Sequence, residues 1–243
     1  MTNDQRFLIE DHALYYAPSL SVLYEMEKNS IPFKKTGASL IALGNPVIGK
    51  DEQRNEELCP LPEAEAEVNS IAESFNPTGR RVLIGREATE KSFRALAPTY
   101  STIHLATHGI IDNRQPLYSH LLLTKSEGDP ENDGLLEARE IMNMSLRADL
   151  AVLSACETAN GTISPGEGVV GMSWAFFVAG TRSMLVSQWK VNSESTSQLM
   201  MNFYQPRTNN KALALQRSAL RLMKDQQYRH PFYWAGFVLI GRN

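Results

Sequence analysis

Short continuous apolar runs recur along this chain, and stretches of helical periodicity separate them. The runs are "ASLIALG" (38–44), "RVLI" (81–84), "STIHLATHG" (101–109), "ADLAVLSA" (148–155), "RSMLVSQW" (182–189) and "YWAGFVLIG" (233–241). They do not alternate apolar with polar, which marks strands buried on both faces. Helices are predicted between them. "EAEAEVNSIAESF" (63–75) carries carboxylates in its first turn, Thr89 caps a helix to Leu96, and "GEGVVGMSWAFFVAG" reads as a buried helix stopped by Gly180. Residues 193–204 and 211–224 read as amphipathic helices. Strands alternating with helices predict an α/β fold whose mostly parallel central sheet is covered on both faces. No long linker interrupts the pattern, so residues 1–243 are expected to form one domain.

Smaller pieces complete the reading. "RFLI" and "HALYYA" look strand-like, and a helix is expected after Pro18 through "SVLYEMEKN". "SHLLLT" is a short strand, "SEGDPENDG" an acidic turn-rich loop, and a short helix is expected over 137–142. The polar, proline-bearing stretch "NPVIGKDEQRNEELCPLP" reads as a loop.

Charge and cysteine content exclude several classes. The formal net charge is −3 and no basic stripe is visible, so a nucleic-acid partner is not expected. Two cysteines, Cys59 and Cys156, make no disulfide framework and no CxxC zinc spacing. That usage fits a reducing compartment. The N-terminus lacks a basic segment followed by an apolar run, and no run approaches the ~18 residues of a membrane span, so a cytoplasmic location is expected, with no membrane partner.

Two motifs look stronger than they are. "GNPVIGKD" (44–51) approaches a phosphate-binding loop, but Asp51 replaces the hydroxyl residue that would hold magnesium. "HLATH" (104–108) has the i,i+4 spacing of a zinc helix, but Leu105 stands where a glutamate belongs. On a strand the two histidines would lie about 13 Å apart. No metal or organic cofactor is expected.

The informative pair is His108 and Cys156. A lone cysteine behind an apolar run is ordinarily a small core residue. Here, though, each residue follows an apolar run that reads as a strand. Ligands of open α/β sheets gather at the carboxyl ends of strands. Gly109 after the histidine allows close backbone approach. A polar, glycine-bearing loop, 157–168, follows the cysteine. The histidine precedes the cysteine by 48 positions, near the spacing of about 50 found in caspase-type proteases. A thiol near pKa 8.5 is mostly protonated at neutral pH, and a neighbouring imidazole can take its proton. The Gly109 and Cys156 backbone amides are expected to form the oxyanion hole if the two strand ends lie side by side. His104 lies two pleats inside the strand and reads as a satisfied core histidine. Cys59, between loop residues and Pro60, reads as incidental.

The ordered blocks "LPEAEAEV", "IHLATHG", "DGLLEAREI", "ADLAVLSACET", "GEGVVGMSWAFFVAG", "VSQWKV" and "HPFYWAGFVLIG" resemble the CHAT domain. This is a caspase-like cysteine peptidase domain usually found behind tetratricopeptide repeats in bacteria. The resemblance runs through nearly the whole chain. It implies a caspase/separase-like α/β/α sandwich, a His–Cys dyad at His108 and Cys156, and hydrolysis of a protein or peptide substrate. It also implies control by a repeat region or a separate regulatory protein. The strand end at Ser187, Gln188 and Trp189 is expected to flank the substrate, with a core aromatic the equal alternative for Trp189; Glu157 and Glu167 read as solvated loop carboxylates or, in the sharper reading, as groups that favour a basic side chain there. Asn192 and Ser193 replace acidic residues common in the family after the tryptophan block. The competing reading is a catalytically silent CHAT scaffold or signalling module.

Overall fold

The computed structural model describes residues 6–17, 19–28, 38–48, 58–154, 156–157, 167–189, 191–205 and 210–243, with Cys156 and Glu157 described by their backbone. In chain order the first elements are α1 (Leu8–Asp11), α2 (Leu20–Lys28), β1 (Leu40–Pro46), α3 (Pro62–Ala72), β2 (Arg80–Gly85), α4 (Glu90–Leu96) and β3 (Thr102–Ala106). There follow β4 (His108–Ile110), β5 (His120–Leu122), β6 (Leu135–Glu137), α5 (Ala138–Ile141), β7 (Leu150–Leu153) and β8 (Cys156–Glu157). The chain closes with α6 (Glu167–Val178), β9 (Ser183–Ser187), α7 (Ser193–Phe203), α8 (Lys211–Leu222) and β10 (Phe237–Gly241).

Six strands form the central sheet in the order β10-β9-β7-β3-β1-β2. All its pairings are parallel except β9 with β10. Side chains alternate between two cores, as the pleat requires. Leu40, Ala42, Val152 and Leu185 face one core, shared with α3, α7 and α8. Ile41, Leu43, Ala151 and Met184 face the other, shared with α4, α5 and α6. This is the expected mostly parallel sheet between helical layers.

Local signals explain several boundaries. Thr89 Oγ1 accepts the Ser92 amide at 3.0 Å and starts α4. Gly180 (φ 106°) stops α6: its amide bonds to the Phe177 carbonyl, and the Thr181 amide reaches back to Phe176.

Three expectations are corrected. The opening "RFLI" is not a strand: α1 begins at Leu8, because the Glu10 carboxylate accepts the Phe7 amide at 2.7 Å and caps the turn. From "HALYYA" only Tyr16 bridges to Ile240, covering the outer edge of β10. Helix α6 is not wholly buried, since Trp174 and Val178 are 45% and 47% exposed. An apolar composition all round the helix hides which face is outward.

No helix among the described residues is long and apolar enough to cross a membrane.

Candidate active site

His108 and Cys156 do not end the strands that precede them. β3 and β7 run side by side in parallel register, from Thr102 opposite Leu150 to Leu105 opposite Leu153. The Ser154 amide still bonds the Leu105 carbonyl at 2.9 Å. Both chains then leave the central sheet. Thr107 makes the turn on one side, and its hydroxyl donates to the Leu122 carbonyl of β5. Beyond the turn the two chains pair again as β4 and β8 in a second sheet, ordered β6-β5-β4-β8. In this small parallel ladder His108 is opposite Cys156 and Gly109 is opposite Glu157. Adjacent strands lie about 4.8 Å apart, so the imidazole-bearing and thiol-bearing residues share one row.

His108 is 8% exposed, so its ring is largely shielded from water. Its Nε2 lies 2.9 Å from the carbonyl oxygen of Cys59. A carbonyl can only accept, so Nε2 carries a proton, and in the neutral form of the ring Nδ1 is the acceptor nitrogen. Cys59, read as incidental from the sequence, thus contributes through its main chain. Nothing in the sequence announces this, because the contact spans 49 positions and uses no side chain. A cavity of about 190 Å³ opens beside His108, with Asn45, Pro46, Val47, Ile48, Cys59 and Gly85 in its wall.

The other expected site residues are placed as follows. β9 is the neighbour of β7 on the side away from β3, and the two run parallel. Ser187 ends β9 and is buried; Gln188 is exposed, and its amide donates to the Gly236 carbonyl at 2.7 Å. Trp189 is half-buried against the helical core and donates Nε1 to the Phe232 carbonyl at 3.3 Å. It therefore packs as a core aromatic with its indole N–H tied to the main chain. Glu157 is in β8, paired with Gly109, and Glu167 begins α6. Residues 158–166, most of the loop expected to line the pocket, lie outside the described residues, as do Lys50 and Asp51 of the phosphate-loop look-alike.

His104 is separate from this site. It is fully buried within β3, on the face that α3 covers, with Nε2 2.7 Å from Glu67 Oε1 of α3 and Nδ1 3.3 Å from the Tyr204 hydroxyl after α7. Burial pushes the Tyr204 phenol up, and the Glu67 carboxylate adds to the effect. His120 and His230 serve local turns, through the Tyr118 carbonyl and the Phe232 amide.

The sequence matches the CHAT domain over residues 1–242. The chain belongs to the CHAT domain family. Among curated proteins this CHAT domain is similar to tetratricopeptide repeat protein 28 of Homo sapiens, 25% identical over 282 residues, and to its Mus musculus counterpart, 24% identical over 276. These matches cover 99% and 97% of this chain but 11% of each relative, so the chain spans about a tenth of their length. Relatives from human and mouse extend the likeness beyond the bacterial setting expected from the sequence. Among solved structures it is similar to separase in the Saccharomyces cerevisiae separase–securin complex, with a TM-score of 0.57 and 14% identity, covering 96% of this chain and 14% of that one. A gingipain R structure aligns with a TM-score of 0.47 and 10% identity over 84% of this chain and 45% of that one. The CHAT domain has the caspase-like α/β fold.

Proposed function

We propose that this CHAT domain, residues 1–243 acting as one unit, is a cysteine endopeptidase that hydrolyses peptide bonds with His108 and Cys156. The observation that carries the reading is the register of the small parallel ladder, which sets His108 opposite Cys156 while the Cys59 carbonyl fixes the proton on His108 Nε2. The ring then has Nδ1 as its base.

The steps follow from that tautomer. The Cys156 thiol gives its proton to His108 Nδ1, and the thiolate attacks the carbonyl carbon of the scissile bond. The carbon–oxygen double bond opens, and the negative oxygen is met by the Gly109 and Cys156 amides, which lie on neighbouring strands one residue out of register. The carbon–nitrogen bond breaks as His108 returns the proton to the leaving amine. Water, deprotonated by the same nitrogen, attacks the thioester and releases a carboxylic acid and the free thiol. Ser187, Gln188 and Trp189 flank the substrate backbone in this reading. Glu157 and Glu167 attract a basic side chain before the cut.

Regulation fits the same picture. The relatives are named for tetratricopeptide repeats, and the separase likeness comes from a complex with securin. A repeat region or a separate protein is the expected regulator here.

A peptide-library digest compares wild type with Cys156→Ala. Cuts made by the wild type and lost in the variant support the reading. If neither cuts, and iodoacetamide labels Cys59 and Cys156 at equal slow rates, the domain is a silent scaffold.

A further inference from the structure

We propose that Asn45 is a positioning residue that holds His108 through the Cys59 carbonyl; this rests on the dyad reading above. Asn45 has φ 47°, and among the described residues it is the one non-glycine in the left-handed region. Asparagine tolerates that region better than most residues. Such backbone strain persists only where the surroundings hold it, and it gathers at functional sites. Here it coincides with a break in the β1–β2 register between Gly44 and Pro46.

The strained turn aims the side chain at the loop that matters. Asn45 Oδ1 accepts the Leu61 amide at 2.8 Å, and Nδ2 donates to Glu65 Oε2 at 3.3 Å. Two residues before Leu61, the Cys59 carbonyl takes the His108 Nε2 proton. Pro60 stands between them and fixes its own φ, so little slack separates the two bonds. The end of β1 is pressed onto α3: a Cβ on Gly44 would come within 2.7 Å of Val68 Cγ2 and 2.8 Å of the Ala64 carbonyl. That close approach brings Asn45 within reach of Leu61. A loop carbonyl can fix a tautomer only if the loop is itself fixed, and the Asn45–Leu61 bond ties this loop to the central sheet.

The test reads the ring directly. Long-range proton–nitrogen NMR of the full chain, with the signal assigned by its loss in His108→Gln, reports the tautomer and the exchange rate of the ring proton. Wild type is expected to show the Nε2–H tautomer with slow exchange. Asn45→Gly keeps the left-handed backbone but removes both side-chain bonds. It should give mixed tautomers, faster exchange and about a tenfold slower alkylation of Cys156, read by peptide mass spectrometry. Asn45→Asp combined with Glu65→Gln, which supplies a donor where Glu65 would repel the new carboxylate, keeps the acceptor for the Leu61 amide and should retain the wild-type tautomer. If Asn45→Gly does not fold, Asn45→Ser, too short to reach the amide, gives the same readout. An unchanged tautomer and exchange rate in the folded deletion variant overturns the proposal. A loosened ring in a protein whose wild type neither cuts peptides nor alkylates selectively would sustain the positioning role while removing the peptidase reading.

Discussion

His108 and Cys156 stand opposite one another in a two-strand parallel ladder that neither of their parent strands belongs to. β3 and β7 bring the chains to the rim as neighbours, and the small sheet keeps them in register after both have turned away. The pair is thus aligned by backbone hydrogen bonds, not by loop packing.

That alignment predicts the thiol's reactivity. Replacing His108 with Gln should slow alkylation of Cys156 at pH 7 by about a hundredfold, the lower end of what a positioned base contributes. A variant with the wild-type rate would show that the imidazole does not act on the sulfur.

The buried Glu67–His104–Tyr204 chain predicts stability effects without catalytic ones. Glu67→Ala leaves a fully buried imidazole without its 2.7 Å partner and should cost about 2 kcal/mol in urea unfolding. Tyr204→Phe removes a longer contact and should cost about 1 kcal/mol. In an alkaline absorbance titration Tyr204→Phe should leave the accessible part of the curve unchanged, since burial and Glu67 both oppose ionisation of Tyr204.

Glu90 predicts a pH dependence. Its side chain is enclosed, and burial pushes its pKa up against the lowering by the Gly134 amide and Arg94. A carboxyl with a raised folded-state pKa binds its proton more tightly when folded. The stability this supplies is complete below the unfolded value of about 4.3 and is lost as pH rises through the folded pKa. Wild type should therefore lose stability relative to Glu90→Gln as pH rises above about 4.3, measured by denaturant titration at a series of pH values. A constant difference would mean that Glu90 titrates alike folded and unfolded.

Gly180→Ala tests the stop of α6. The position has φ 106°, and a Cβ there would collide with the Leu146 carbonyl. Two independent penalties should destabilise the fold by about 2–3 kcal/mol in a thermal or urea melt. A loss below 0.5 kcal/mol would show that the turn relaxes.

The local pattern of this sequence determined the layered fold. Continuous apolar runs at β1, β3, β7 and β9 cannot be solvated on either face, so helices must cover both. Caps such as Thr89 and stops such as Gly180 are short-range chemistry and are legible one residue at a time. The order and spacing of "HLATHG" and "LSACET" singled out His108 and Cys156 for the same reason: both follow runs that must end at one rim. Tertiary structure alone decided that both chains leave the central sheet and pair again, because a two-residue strand such as β8 has no periodicity of its own. It alone decided that the Cys59 carbonyl meets the His108 ring and that Asn45 bonds the Leu61 amide of the same loop. Main-chain oxygens carry no residue identity, and contacts across 49 or 16 positions depend on where the whole fold brings the backbone.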